Sequence, residues 1–187
     1  MAIQRERLYT YQDWQAMEFG EGQRSELING RIYLLASAST RHQSILGEIF
    51  RQLSNHLRGK KCKPFLNLDV RLEKDTVLIP DLILVCDSRR LTKNGCNGAP
   101  DLAVEILSPS TTRHDKLTKF QLYQQAGVPE YWIVDPEDNV ITIHRLNGNI
   151  YTTTVLNKAD TAAIQALPDF EMDLPEVFAD EEISQLI

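Results

Sequence analysis

Two short apolar runs, each carrying a carboxylate, limit what this chain can fold into more than any other feature. Leu78 to Cys86 and Leu102 to Leu107 are rich in Val, Ile and Leu and bounded by Pro, which is the pattern of buried strands. Asp81 stands near the start of the first run and Glu105 lies deep inside the second. A desolvated negative charge with no partner is costly, so a cation must accompany Glu105, either a side chain or a metal ion. The next helix, expected from Thr112 to Ala126 and closed by Gly127, offers Lys116 and Lys119. Asp115, Lys119 and Tyr123 fall at i, i+4 and i+8, along one face of that helix. The face is either a surface ion pair with a packed tyrosine or the means of bringing Lys119 to Glu105.

Around this centre the chain predicts a short helix from Thr10 to Glu18 that serves as packing, with Thr10 as N-cap and Asp13 three residues on. A hairpin follows across Asn29-Gly30, the pair suited to a type I′ turn. Alternation puts Glu26 on the same face as Ile28, so Glu26 points inward or is an ordinary edge-strand acid. A helical stripe of Ile45, Leu46, Ile49, Phe50, Leu53 and Leu57 predicts a core helix from Thr40 to Leu57, with His42 on the polar side of its first turn. Phe65 to Leu72 and Thr76 to Cys86 read as two neighbouring strands turned by Glu73-Lys74-Asp75. Asp87 to Ala99 reads as a surface loop, its Arg89, Arg90 and Lys93 either touching a substrate or simply solvated. A strand at Tyr131 to Val134, a second hairpin across Asn147-Gly148 and a short C-terminal helix complete the pattern.

With 187 residues, 42% hydrophobic and 25% charged, the chain suits one globular domain, residues 1–187, able to bury a core unaided. It has no apolar run of membrane-spanning length, and its N-terminus lacks the apolar core of a signal peptide. A cytosolic location is the expectation. Cys62, Cys86 and Cys96 suggest neither a disulfide framework nor a zinc site. The net charge is −6, awkward for binding nucleic acid, but Arg41, Arg51, Arg58, Lys60, Lys61 and Lys63 face only Glu48 in their stretch. Seven acids and no base lie from Asp169 onward. That asymmetry leaves room for a basic face or for nothing more than a solvated helix end.

The Pro-Asp at Pro80-Asp81, the acid inside the next apolar strand and the nearby lysine resemble the PD-(D/E)XK nuclease superfamily. The longer phrase E-I-L-S-P-S-T from Glu105, then Asp115, Lys119 and Tyr123, then A-G-V-P-E-Y-W-I-V-D-P from Ala126, is similar to its Uma-type branch of bacterial restriction endonucleases. With S-E-L-I-N-G-R-I around Glu26 and His42 at the head of the next helix, the resemblance covers roughly Tyr9 to Phe178. It implies an α/β (α+β) fold with a restriction-endonuclease-like core, a mixed central β-sheet flanked by helices. It also implies Asp81 and Glu105 as metal ligands with the carbonyl of Ile106 as a further one, Lys119 as catalytic base or electrostatic stabiliser, and Glu26 as an accessory acid. His42, Asp115 and Tyr123 are further accessory candidates. The superfamily's Glu-X-Lys would put lysine at position 107, where this chain has Leu107. In the Uma-type branch the lysine comes from the following helix, where Lys119 matches, although Lys116 stands close by.

Oxygen ligands without His or Cys select a hard cation, Mg²⁺ with Mn²⁺ as a substitute. Such an ion beside a lysine suits hydrolysis of a DNA phosphodiester. DNA is then the expected partner, with a homodimer suited to cutting both strands and no membrane partner. Two other readings stand beside this one. The first is a catalytically silent nuclease fold that binds DNA or protein; the second is a metal-dependent phosphohydrolase acting on a small phosphate ester. No G-x-x-x-x-G-K-[ST] occurs, which excludes P-loop chemistry.

Overall fold

The computed structural model describes residues 7–108 and 114–179, with side chains from 117 onward in the second stretch. Asp115 and Lys116, both candidates from the sequence, have side chains outside the described residues.

The N-terminal elements form where local chemistry directs them. Thr10 and Asp13 close a capping box on α1 (Tyr11–Gln15), satisfying backbone N–H groups that a helix start leaves bare. β1 (Ser25–Ile28) and β2 (Arg31–Leu34) pair antiparallel, and Asn29 and Gly30 between them hold φ of 49° and 77°, the two positive values a type I′ turn needs. In α2 (Thr40–His56) the Ser39 side chain accepts from the His42 N–H, and Ile45, Leu46, Ile49 and Leu53 are buried along one stripe. His42 departs from expectation: it is buried and not on a polar face, because the first turn of α2 lies against the strand junction described below.

The two long strands expected between Phe65 and Cys86 are each broken. Their pieces are β3 (Lys63–Leu66) and β4 (Val70–Glu73), then β5 (Thr76–Leu78) and β6 (Leu82–Val85). β3 pairs with β6 and β4 with β5, so each run crosses from one sheet to another. Asn67, with φ 49°, marks the first crossing. Pro80, which cannot donate to a ladder, lies in the second. The polar stretch expected as a loop also contains structure, a 3-10 turn at Ser88–Arg90 and a hairpin of β7 (Leu91–Thr92) and β8 (Gly95–Asn97). β8 runs parallel to β4 and buries Cys96. Gly95 is required there: at φ +138° an added Cβ would meet the Asp69 carbonyl oxygen at 2.3 Å.

The remaining elements are β9 (Leu102–Ile106), a π-helical turn at His114–Lys119 continuing into α3 (Phe120–Gln125), β10 (Glu130–Asp135), β11 (Val140–Asn147), β12 (Ile150–Asn157), β13 (Thr161–Ile164), β14 (Leu167–Asp173) and α4 (Leu174–Val177). The central sheet has the order β12-β11-β10-β9-β6-β3 and is mixed, with β9 and β10 parallel and its other pairs antiparallel. A second sheet, β2-β1-β5-β4-β8-β7, and the β13–β14 hairpin pack around it. One face of the central sheet buries Leu82, Val104, Trp132 and Ile143 against α2, α4 and the β13–β14 hairpin. The other face packs Ala103, Leu107, Tyr131 and Ile133 with Tyr123 of α3 and with Ile28 and Leu78 of the second sheet. Helices therefore flank a mixed sheet on both sides, as the α/β (α+β) expectation required.

Two further expectations need correction. Cys62 and Cys86 form a disulfide, although the sequence suggested none. Spacing along the chain does not reveal it; the antiparallel register, Lys63 opposite Val85, carried one residue outward sets the two cysteines opposite each other. The basic face around α2 is also reduced, since two of its bases pair with acids and a third is buried. Arg41 is buried on Asn139 and the Phe178 carbonyl, Arg51 pairs with Glu48 and Glu176, and Lys60 pairs with Asp169. Acids that are remote in sequence fold back onto these bases. Among the described residues no helix is long and apolar enough to cross a membrane.

Candidate active site

The site lies at the seam where the chain steps from the second sheet into the central one. β6 and β9 pair with Leu82 opposite Val104, and one step further along the same register brings Asp81 alongside Glu105. Side chains on β9 alternate: Val104 and Ile106 face α2, while Glu105 stands between Ala103 and Leu107 on the face shared with α3. The break after β5 frees the N–H of Ile79, which donates to Glu26 Oε1 at 2.8 Å. Glu26 thus points inward from β1, only 2% exposed, and the edge-strand alternative falls away.

Lys119 joins the two acids. Its Nζ lies 2.8 Å from Glu105 Oε1 and 2.9 Å from Glu26 Oε1, with all three groups buried. Tyr123, one turn on in α3, donates its hydroxyl to Glu105 Oε1 at 3.0 Å. Burial, and then the adjacent Glu105 charge, push the Tyr123 phenol well above its ordinary value, so it remains a donor. Leu107, where the superfamily pattern would have lysine, is buried among Tyr123, Val128 and Tyr131. The helix, not the strand, supplies the ammonium. It does so from the end of the π-helical turn, a distortion of the kind that often accompanies functional sites.

Asp81 is oriented by two donors on the same oxygen: the Ile106 N–H at 2.7 Å and His42 Nε2 at 3.1 Å. Its Oδ1 takes no hydrogen bond among the described residues. With Nε2 donating, His42 Nδ1 is left buried without a hydrogen-bond partner among the described residues. In a strand the N–H and C=O of one residue face the same side. The Ile106 carbonyl therefore points toward Asp81, beyond the end of β6. Asp81, Glu105, Ile106, Lys119 and His42 line a cleft of about 60 Å³, and Arg24, Gln43, Asn67 and Ser108 are further polar residues of its wall. Sequence reasoning did not single out these last four residues. Only Asn67 carries a sequence-level hint, an Asn able to hold positive φ where a strand must break.

Among the described residues no three His, Cys, Asp or Glu side chains already converge at ligand spacing. The donors present are two carboxylates and a backbone carbonyl, a small all-oxygen set of the kind that holds Mg²⁺ while leaving room for water and phosphate. Two carboxylates, Glu26 and Glu105, share the one ammonium of Lys119, while Asp81 takes its hydrogen bonds from the Ile106 N–H and His42, leaving negative charge for a divalent cation to balance. The residues present fit such an ion.

A family model described as "Uma2: Putative restriction endonuclease" matches residues 8–175. Two uncharacterised proteins of Synechocystis are similar: slr1290, 28% identical over 74% of this chain and 73% of its own, and sll1609, 26% identical over 72% and 79%. The crystal structure of a protein from Anabaena variabilis, described as a putative nuclease belonging to DUF820, superposes with a TM-score of 0.76 at 20% identity, covering 91% of this chain and 97% of that one. This likeness establishes a shared fold, the restriction-endonuclease-like arrangement of a mixed sheet between helices. With the model spanning nearly its whole length, this chain belongs to the Uma2 family of restriction-endonuclease-like proteins.

Proposed function

We propose that this protein is a divalent-metal-dependent DNA endonuclease hydrolysing phosphodiester bonds. The observation that carries this reading is the convergence of Asp81, Glu105 and Lys119 on one cleft from three separate elements. Asp81 through Oδ1, Glu105 and the Ile106 carbonyl would hold Mg²⁺ or Mn²⁺, with Glu26 adjoining. A bound ion of this kind polarises a phosphoryl oxygen and lowers the pKa of its water.

The chain's own groups divide the remaining work. His42 and the Ile106 N–H fix the Asp81 rotamer, leaving one oxygen to face the cleft. Lys119, an ammonium held between two carboxylates, has donors but no acceptor lone pair. Of its two expected roles, the electrostatic one fits: it sets positive charge where negative charge grows on the phosphoryl group. Tyr123 and the Ile79 N–H hold Glu105 and Glu26 in place. A homodimer would supply the two clefts that cutting both strands requires.

The test is nicking of supercoiled plasmid with Mg²⁺ or Mn²⁺, beside Glu105→Ala and an EDTA control. Metal-dependent cutting that falls to background in the variant is expected. Failure of folded wild-type protein to cut plasmid, branched or single-stranded DNA refutes the reading. DNA binding without metal would then favour a silent binding module, and metal-dependent release of phosphate from a small ester a phosphohydrolase.

A further inference from the structure

The short helix α1 buries none of its residues, yet it is firmly fastened. Trp14 Nε1 donates to Ser25 Oγ at 2.9 Å and the Tyr11 N–H to the Lys74 carbonyl at 2.9 Å. These anchors hold a column of flat groups. Trp14 stacks on Tyr11 with ring centroids 6.2 Å apart, and the Arg71 guanidinium lies 4.5 Å from the Tyr11 ring centre. Tyr11 and Arg71 both line a second cleft of about 230 Å³, between β4 and the β7–β8 hairpin, whose wall also includes Asp69, Lys93, Asn94 and Asn97. Its size is below that of sites for drug-sized ligands, roughly 300 Å³ and upward, and suits one flat ring with its substituents.

Among the described residues the Arg71 and Lys93 side chains make no hydrogen bond or ion pair. Arg51 and Arg89, by contrast, are tied to carboxylates. A guanidinium beside an aromatic ring, both at the wall of one cleft, is a platform on which a nucleobase stacks. Asp69, Asn94 and Asn97 supply acceptors and donors for a base edge, and Lys93 a cation for phosphate. The walls of the two clefts draw on neighbouring residues of the chain. Asn67 lines the first and Asp69 the second, a separation of at most about 7 Å along the chain. Arg24, in the wall of the first, acts electrostatically on Asp69.

We propose that this second cleft is a nucleotide subsite, in which a base of the substrate strand flanking the cleaved bond stacks on Arg71 while its phosphate meets Lys93. The proposal rests on the nuclease reading. It is tested by fluorescence anisotropy of a short labelled oligonucleotide bound to protein carrying Glu105→Gln, with Arg71→Ala, Arg71→Lys and Lys93→Ala added singly. Arg71→Ala should weaken binding roughly tenfold or more, the range for losing one stacked base. Arg71→Lys should keep the salt dependence without restoring affinity, and Lys93→Ala should reduce the salt slope by about one. Cleavage by Arg71→Ala in the otherwise wild-type chain should show a raised KM with kcat retained. A wild-type protein that cuts DNA while all three variants bind as tightly as their parent overturns the subsite alone. A folded protein that neither binds nor cuts DNA overturns subsite and nuclease reading together.

Discussion

Replacing Lys119 by Met keeps most of the unbranched side chain and removes the terminal ammonium with its charge. Glu26 and Glu105 are 2% and 4% exposed, and their Oε1 atoms lie 2.9 and 2.8 Å from the same ammonium, hence within about 6 Å of each other. Without the lysine, two carboxylates face one another across that gap. At an effective dielectric constant of about 20 their repulsion is about 3 kcal/mol. Breaking a buried pair by removing one partner costs about 3–5 kcal/mol, so the two routes agree. The hydrogen bonds from Tyr123 and the Ile79 N–H remain and hold the loss to that range. In a chain of this size such a loss lowers Tm by roughly 6–20 °C. Urea unfolding of Lys119→Met should show a lower midpoint at unchanged slope. Adding Glu26→Gln should recover part of the loss, since the second substitution removes the repulsion the first created. A loss below about 1 kcal/mol, well under the range for a broken buried pair, or no recovery on adding Glu26→Gln, would refute the buried triad as the element holding these strands together.

Three other outcomes follow from the same structure. Replacing Cys62 and Cys86 by serine opens a crosslink spanning 24 residues and should cost about 3–4 kcal/mol in the chain-entropy account, read as a fall in urea midpoint that a reductant reproduces in the wild type. Gly95→Ala places a Cβ 2.3 Å from the Asp69 carbonyl at φ +138°; backbone strain and overpacking together should cost about 2–5 kcal/mol, measured by thermal melting. Burial pushes the Cys96 thiol up to about 11 and the Tyr123 and Tyr151 phenols above their ordinary value. The folded protein then holds protons that the unfolded chain releases, so stability should fall as pH rises through 9 and 10, and unchanged melting temperatures between pH 8 and 11 would contradict these environments.

Much of the site was legible because its chemistry is local in pattern. A carboxylate inside an apolar strand requires a partner wherever the strand lies, and that requirement led from Glu105 to Lys116 and Lys119 on the next helix, between which the family resemblance favoured Lys119. Asn29-Gly30 announced its hairpin because few other residue pairs accept positive φ at both positions; the second hairpin turns at Gly148-Asn149, one residue beyond the expected Asn147-Gly148, with Asn147 inside β11 and Gly148 at φ 62°. The broken strands between Phe65 and Cys86 were not legible. Apolar residues continue through both crossings, and burial looks the same whichever sheet receives it. His42 read as polar-side because a helical stripe describes one buried face and cannot register a second contact made by the first turn.

The sequence by itself determined the strands from β9 to β12, the Asn29-Gly30 turn, the acids and the need for a cation, since these depend on side-chain chemistry and on spacing along a few residues. Tertiary structure alone decided which oxygens Lys119 bridges, that His42 and Ile106 orient Asp81, that Cys62 faces Cys86, and that the acids Asp169 and Glu176 cancel bases on or beside α2. Each of these depends on the register between segments distant in the chain, and that register is set only when the whole set of apolar faces is buried at once.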